Sequence, residues 1–262
     1  MKVLTDTRTA FARELKPELR QPVGLLFTMM LPFLLLALFA PLLSGSGAGG
    51  TGMGGGPGGA GSPWQWFVPG MLVLLGLSAT AGAGASLLNE ISSGAFERLL
   101  VTPLNRAAML VGRTLKEVVV LLTQALLILL LLLPTDFRLH LPGALAGLLL
   151  LSVFGVGIGA LSFTLALHSR RRQTLFYGVQ QVVFFPLLLL SGVLLPITEA
   201  AAPAWLYVLS RINPVTHVVE AERALFDGRL AEPVVLYGFL AAGAVALLGV
   251  AAGIRGMRKA ST

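Results

Sequence analysis

Two carboxylates, Glu90 and Glu97, stand in a short polar segment that runs from Asn89 to Arg106 between two long apolar stretches. Wound as a helix at about 100° per residue, the segment lines up Glu90, Gly94, Glu97 and Val101 along one stripe and turns Phe96, Leu99 and Leu100 to the opposite side. The chemistry on offer is ionic docking. One face can meet a soluble partner while the other meets lipid or neighbouring helices, so a force applied by the partner reaches both apolar stretches. Pro103 then ends the helix before the next stretch begins. An ordinary solvated connector has the same composition, and the segment alone carries both readings.

A second group of residues offers amide and aromatic surface. Gln180, Gln181, Phe184 and Phe185 fall together in one apolar run, followed by Pro186 and by Ser191-Gly192. Amides in hydrocarbon are costly unless paired, so they must face a helix bundle, a dimer seam or a wet cavity. Gln124 is the one strongly polar side chain deep in another run, and hydrogen bonding to a neighbouring helix accounts for it. Titratable groups are missing from the middle of every apolar run, which removes the coupling site an ion-driven transporter needs. His140, His168 and His217 lie at run ends or in connections and there is no H-E-x-x-H, so an intramembrane protease is disfavoured. G-x-x-x-x-G-K-[ST] is absent too, as is cysteine, which leaves no P-loop, disulfide or thiolate site.

Composition indicates what must position these residues. Of 262 residues, 55% are hydrophobic and 12% charged, with a mean hydropathy of +0.84; a soluble domain carries about 25% charge. An all-α integral membrane protein follows, because a spanning helix needs about 20 apolar residues and the runs are continuous rather than alternating. Six runs qualify, at 23–43, 67–88, 107–133, 141–167, 175–195 and 234–254, within a single transmembrane domain covering 1–262. Of the 19 Lys and Arg residues, all but Arg138, Arg211, Arg223 and Arg229 cluster in the N-terminal arm, around the 89–106 connection, at Arg170 to Arg172 and in the C-terminal tail. By the positive-inside rule both termini and the 89–106 segment are cytoplasmic. The basic residues are thus sorted by membrane side, which argues against nucleic acid as the partner of this positively charged chain.

Residues 1–22 read as an amphipathic helix on the inner membrane surface, with Leu4, Phe11, Leu15 and Leu19 facing one way and Lys2, Arg13, Lys16 and Arg20 the other. Pro17 and Pro22 should kink or divide it. No removable signal peptide is evident, so the first span is its own insertion signal. Residues 44–66 form an external loop dominated by glycine, closed by Trp64, Trp66 and Phe67 as an aromatic belt at the outer interface. Gly155, Gly157 and Gly159 permit close helix packing. Residues 196–232 are too polar to span and too apolar for a plain loop, and read as short re-entrant helices.

Ser191-Gly192-Val193-Leu194-Leu195-Pro196, then Asn213-Pro214-Val215-Thr216-His217, then Glu220 to Leu225, resemble the C-terminal signature of type 2 ABC transporter permeases of the daunorubicin-resistance exporter class. Glu90, Gly94, Glu97, Leu99, Thr102, Pro103 and Arg106 match the cytoplasmic coupling helix of the same family. The chain departs from the family in its long glycine-rich loop and in Ala95, where threonine is more common. The resemblance implies a permease subunit with no nucleotide site or enzymatic activity of its own. It would pair with a second permease subunit, as a homodimer, and with two copies of a separate ATPase that binds ATP and Mg, in the plasma membrane of a bacterium or archaeon. Coupling would fall to Glu90, Gly94, Glu97, Arg98, Thr102, Pro103 and Arg106. The substrate path would be lined by Asn89, Gln180, Gln181, Phe184 and Phe185, and an outer gate built from Ser191, Gly192, Pro196, Asn213, Pro214 and His217. The cargo implied is an amphipathic drug-like or lipid-like compound; the same fold also serves polysaccharide or small-ion export, and a regulatory membrane subunit is the reading from another class.

Overall fold

The computed structural model describes residues 2–20, 29–30, 32–39, 63–94, 106–134, 137, 139–170, 172–194, 197, 199 and 202–259. Among them all regular structure is helical. The helices are α1 (Lys2–Arg20), α2 (residues 32–39), α3 (Pro63–Ser92), α4 (Arg106–Leu132), α5 (Leu141–His168), α6 (Gln173–Leu189), α7 (Ala204–Ile212), α8 (Pro214–Phe226) and α9 (Pro233–Lys259).

Among the described residues, four stretches are long and apolar enough to cross a bilayer: Trp64–Ser92, Val111–Leu132, Leu141–His168 and Pro233–Gly256. They coincide with the second, third, fourth and sixth expected spans. The first expected span lies largely outside the described residues, although its 32–39 portion is helical. The fifth is shorter than expected. Helix α6 ends at Leu189 instead of continuing to Leu195, because Ser191 Oγ donates to the Leu188 carbonyl at 2.6 Å and Gly192 adopts φ 70°, a left-handed turn that glycine makes at little cost.

Helix α5 is central, packing against α3, α4, α6, α8 and α9. Small residues bring the backbones together. A Cβ built on Gly249 of α9 would lie 2.3 Å from the Gly157 carbonyl oxygen of α5, and one on Gly157 would lie 2.7 Å from the Ala246 nitrogen. On the other flank, Gly84 N–H of α3 donates to Ser162 Oγ of α5 at 2.9 Å. The main core gathers Met71, Leu72, Leu75, Leu121, Phe154 and Phe226, and a smaller one at the far end of α3 holds Leu87, Leu88, Phe163 and Phe176. Leucines also cover the outside, with Leu130, Leu145, Leu236, Leu247 and Leu248 exposed. Apolar side chains inside and outside alike suit a protein whose surrounding solvent is hydrocarbon.

Helix α1 runs unbroken through Pro17. The missing amide falls in the last turn, where the carbonyl it would have met belongs to Arg13, an exposed residue that water can serve. Pro22 lies outside the described residues. The helix is amphipathic as read: Ala10 is buried, Phe11 and Leu15 are half-buried, and Arg13, Lys16 and Arg20 are exposed. It packs on α4 at Gly112, where a Cβ would come within 2.8 Å of Ala10 Cβ.

Candidate functional site

The coupling residues divide at Gly94. Helix α3 ends at Ser92, Ser92 Oγ and Ser93 Oγ donate to the carbonyls of Asn89 and Glu90 at 2.9 and 3.1 Å, and Gly94 turns the chain away with φ 71°. The continuous stripe from Glu90 to Val101 is therefore broken at Gly94. Glu97, Arg98, Thr102 and Pro103 lie outside the described residues, and Arg106 opens α4.

Glu90 has a partner within the chain. Arg113, about two turns into α4 and 4% exposed, pairs with Glu90 of α3 and, at 3.1 Å, with Glu14 of α1. One guanidinium thus ties three helices. The next turn of α4 carries Lys116 and Glu117, paired at 2.7 Å and both buried. From sequence, Arg113 and Lys116 count only among the basic residues around the 89–106 connection. Glu14 and Glu90 belong to other helices, and sequence spacing cannot show which carboxylates Arg113 meets.

The path candidates fall in two places. Gln180, Gln181, Phe184 and Phe185 share α6, where Gln180 and Phe184 are half-buried, Gln181 and Phe185 are exposed, and the two rings meet edge-on at 6.2 Å. Phe176 is the one fully buried side chain of α6, packed where α3 passes at Gly84. Leu175, Val179, Val182 and Val183 stand exposed beside the amides, so α6 presents most of its surface away from the bundle. Asn89 stands apart, exposed on the last full turn of α3.

The gate candidates converge. Asn213 caps α8 by accepting from Val215 N–H at 3.0 Å, and its amide donates to the Leu187 carbonyl at 2.7 Å. Such an N-cap stabilises by about 1 kcal/mol. Thr216 Oγ1 donates to the Leu190 carbonyl at 3.0 Å, so α8 takes up two carbonyls that α6 leaves open at its end. Pro214 occupies the first turn of α8. Ser191 and Gly192 form the turn itself, and His217 Nε2 lies 2.9 Å from the Arg211 carbonyl oxygen. Pro196 lies outside the described residues.

Arg223 completes this knot. Its Nη2 donates to the Gly192 carbonyl at 2.9 Å, its Nε donates to the Trp66 carbonyl at 3.1 Å, and its guanidinium lies 3.9 Å from the Trp66 ring centroid. The start of α3, the turn after α6 and the last turn of α8 are held by one side chain. Gln65 adds a bond from its amide to the Phe226 carbonyl at 2.7 Å. Here the expected aromatic belt is corrected: Trp64 and Phe67 are buried and Trp66 lies under Arg223, because that end of α3 is covered by α8.

Glu222, next to Arg223, faces the other way. It is completely buried, its carboxylate oxygens have no hydrogen-bond partner, and a Cβ on Gly147 of α5 would lie 2.5 Å from one of them. Burial pushes its pKa up to about 8. Glu220, on the exposed side, pairs with Arg211 at 2.9 Å.

Several apolar helices of spanning length and an apolar exterior define a multi-pass membrane protein. Residues 5–226 match the ABC-2 type transporter family, and the chain belongs to that family. It is 28% identical over 211 residues to the daunorubicin resistance ABC transporter permease protein DrrB1 of Streptomyces coeruleorubidus, covering 79% of this chain and 70% of that one. It is 27% identical to the putative transport permease ycf38 of Cyanophora paradoxa, over 79% of this chain and 69% of the relative. Similarity to the probable multidrug ABC transporter permease YbhR of Escherichia coli, 26% identical, spans 62% of this chain and 44% of that relative.

Proposed function

We propose that this chain is the membrane-spanning permease subunit of an ATP-driven exporter that moves an amphipathic drug-like or lipid-like compound outward by alternating access. ATP and Mg are held by a separate ATPase, two copies of which serve a pair of permease chains, here a homodimer in a bacterial or archaeal plasma membrane. On this reading the chain has six spans and both termini inside, with the 89–106 segment against the ATPase and the 196–232 region at the outer surface; the four apolar helices of spanning length support it. The Arg113 node carries the reading, since it links α1 and the end of α3 to α4, so that a displacement of either can reach α4. ATP can drive the cycle only by binding one conformation more tightly than the other.

Co-expression with a partner ABC ATPase, reconstitution in vesicles and addition of ATP should produce movement of a labelled amphiphile across the membrane. A chain that binds the ATPase and transports nothing, whatever the labelled compound, would instead be a regulatory subunit. Movement of a polysaccharide or a small ion in place of amphiphiles would keep the fold and the coupling but replace the cargo.

A further inference from the structure

Glu222 is a carboxylic acid with no task in the architecture so far described. Hydrophobic residues precede and follow it on its own face of α8, namely Val218, Val219, Leu225 and Phe226, all buried. Opposite lies α5, which at Gly143 and Gly147 has no side chain; a Cβ at Gly143 would lie 1.8 Å from the Leu225 carbonyl oxygen. The two helices are in backbone contact, and the acid is sealed between them.

Among the described residues, no nearby charge is aimed at it. On α8, Arg223 is spent on the Gly192 and Trp66 carbonyls, Glu220 is paired with Arg211 of α7, and His217 meets the Arg211 carbonyl. Helix α5 contributes His140 at its N-cap, beside Gly228. Helix α3 contributes the neutral amide of Gln65. Before α9, Asp227 and Glu232 are both paired with Arg229, and the Tyr237 ring of α9 is exposed. A buried carboxyl in such a place is stable only in its neutral form.

We propose that Glu222 is a proton-binding site at the α5–α8 seam, holding its proton while the seam is closed and releasing it to water when the two helices part. The O–H bond breaks, its electron pair stays on the carboxylate, and water or hydroxide takes the proton. Opening and proton release are then one event, favoured by alkaline medium. That the release is external rests on the topology proposed above, whereas the titration itself does not.

The sign follows from linkage. A carboxyl whose pKa is raised to about 8 from 4.5 in the closed state stabilises that state fully below the open-state value, and loses the contribution as pH climbs toward the closed-state value. The closed-to-open ratio should fall by up to about tenfold per pH unit across that window and then level off.

The absence of cysteine from the natural sequence makes the test direct. Ala144→Cys places a thiol on the same flank of α5, at a position 5% exposed. Its labelling rate in the purified full chain in detergent micelles, without ATPase or cargo, is compared between wild-type Glu222 and E222Q at each pH, so that ionisation of the thiol cancels. The rate ratio should rise steeply with pH and plateau near pH 8, and the thermal midpoint of the wild type should fall relative to E222Q over the same range. E222L, apolar and of similar size, should behave like E222Q and serves if the amide misfolds. A ratio and a midpoint difference that do not change with pH would overturn the proposal while leaving the transport reading intact.

Discussion

At the scale of single residues, two arginines at opposite ends of the bundle play the same part, each gathering three chain segments. Removing one leaves charges or carbonyls without partners. Arg113→Gln strands Glu14 and Glu90 and should cost about 3 kcal/mol, the lower end for a broken buried pair because both carboxylates keep some contact with water. Thermal unfolding in detergent reads the loss of stability, and a larger loss of transport-coupled ATPase stimulation than of basal ATPase activity reads the coupling. With Glu90 engaged inside the chain, Glu97 is the remaining carboxylate of the 89–106 segment. Glu97→Lys should leave membrane insertion intact and uncouple hydrolysis from transport; normal ATPase stimulation and full transport in that variant would remove Glu97 from the contact.

At the scale of helices, α6 is the least enclosed, and its amide and aromatic quartet is the surface an amphipathic ligand would use. Alanine at Gln180, Gln181, Phe184 and Phe185 in turn should alter which compounds are exported more than it alters protein abundance. A resistance profile constant across all four substitutions would put the path elsewhere. Helix positions were legible from sequence because runs of some twenty apolar residues admit little else: α3, α4, α5 and α9 lie where hydropathy put them. Their ends were less legible. The fifth run reads as apolar to Leu195, yet a serine that bonds back and a glycine with positive φ stop the helix at Leu189. The same blindness hid the breaks at Gly94 and the inward turn of Trp66. Turn geometry depends on local polar bonds, and Arg223 reaches Trp66 across 157 positions of sequence, a pairing that no periodicity encodes. Asn213, Pro214 and Thr216 stand in a motif legible from sequence, but their work of capping one helix with the start of another became visible only in three dimensions.

At the scale of the whole molecule, the glycine-rich stretch is the feature with the least claim to a role in folding. Its composition offers little side chain to bury. Replacing Gly47 to Gly59 by a short Gly-Ser linker should barely change stability, since loop-closure entropy varies slowly with length. Transport should persist if the linker still joins the flanking spans. Normal expression with a large loss of activity would make the stretch a working part of the outer surface.

The crossing of α5 and α9 at Gly157 and Gly249 bears on where such a molecule can bend. Two helices touching through their main chains have no flexible side chains between them to absorb a slide, so neither can ratchet past the other without a backbone collision. That pair is suited to serve as the stator of the machine. A stroke delivered to one end of the bundle would then be taken up by elements outside that pair, of which α6 is the least enclosed.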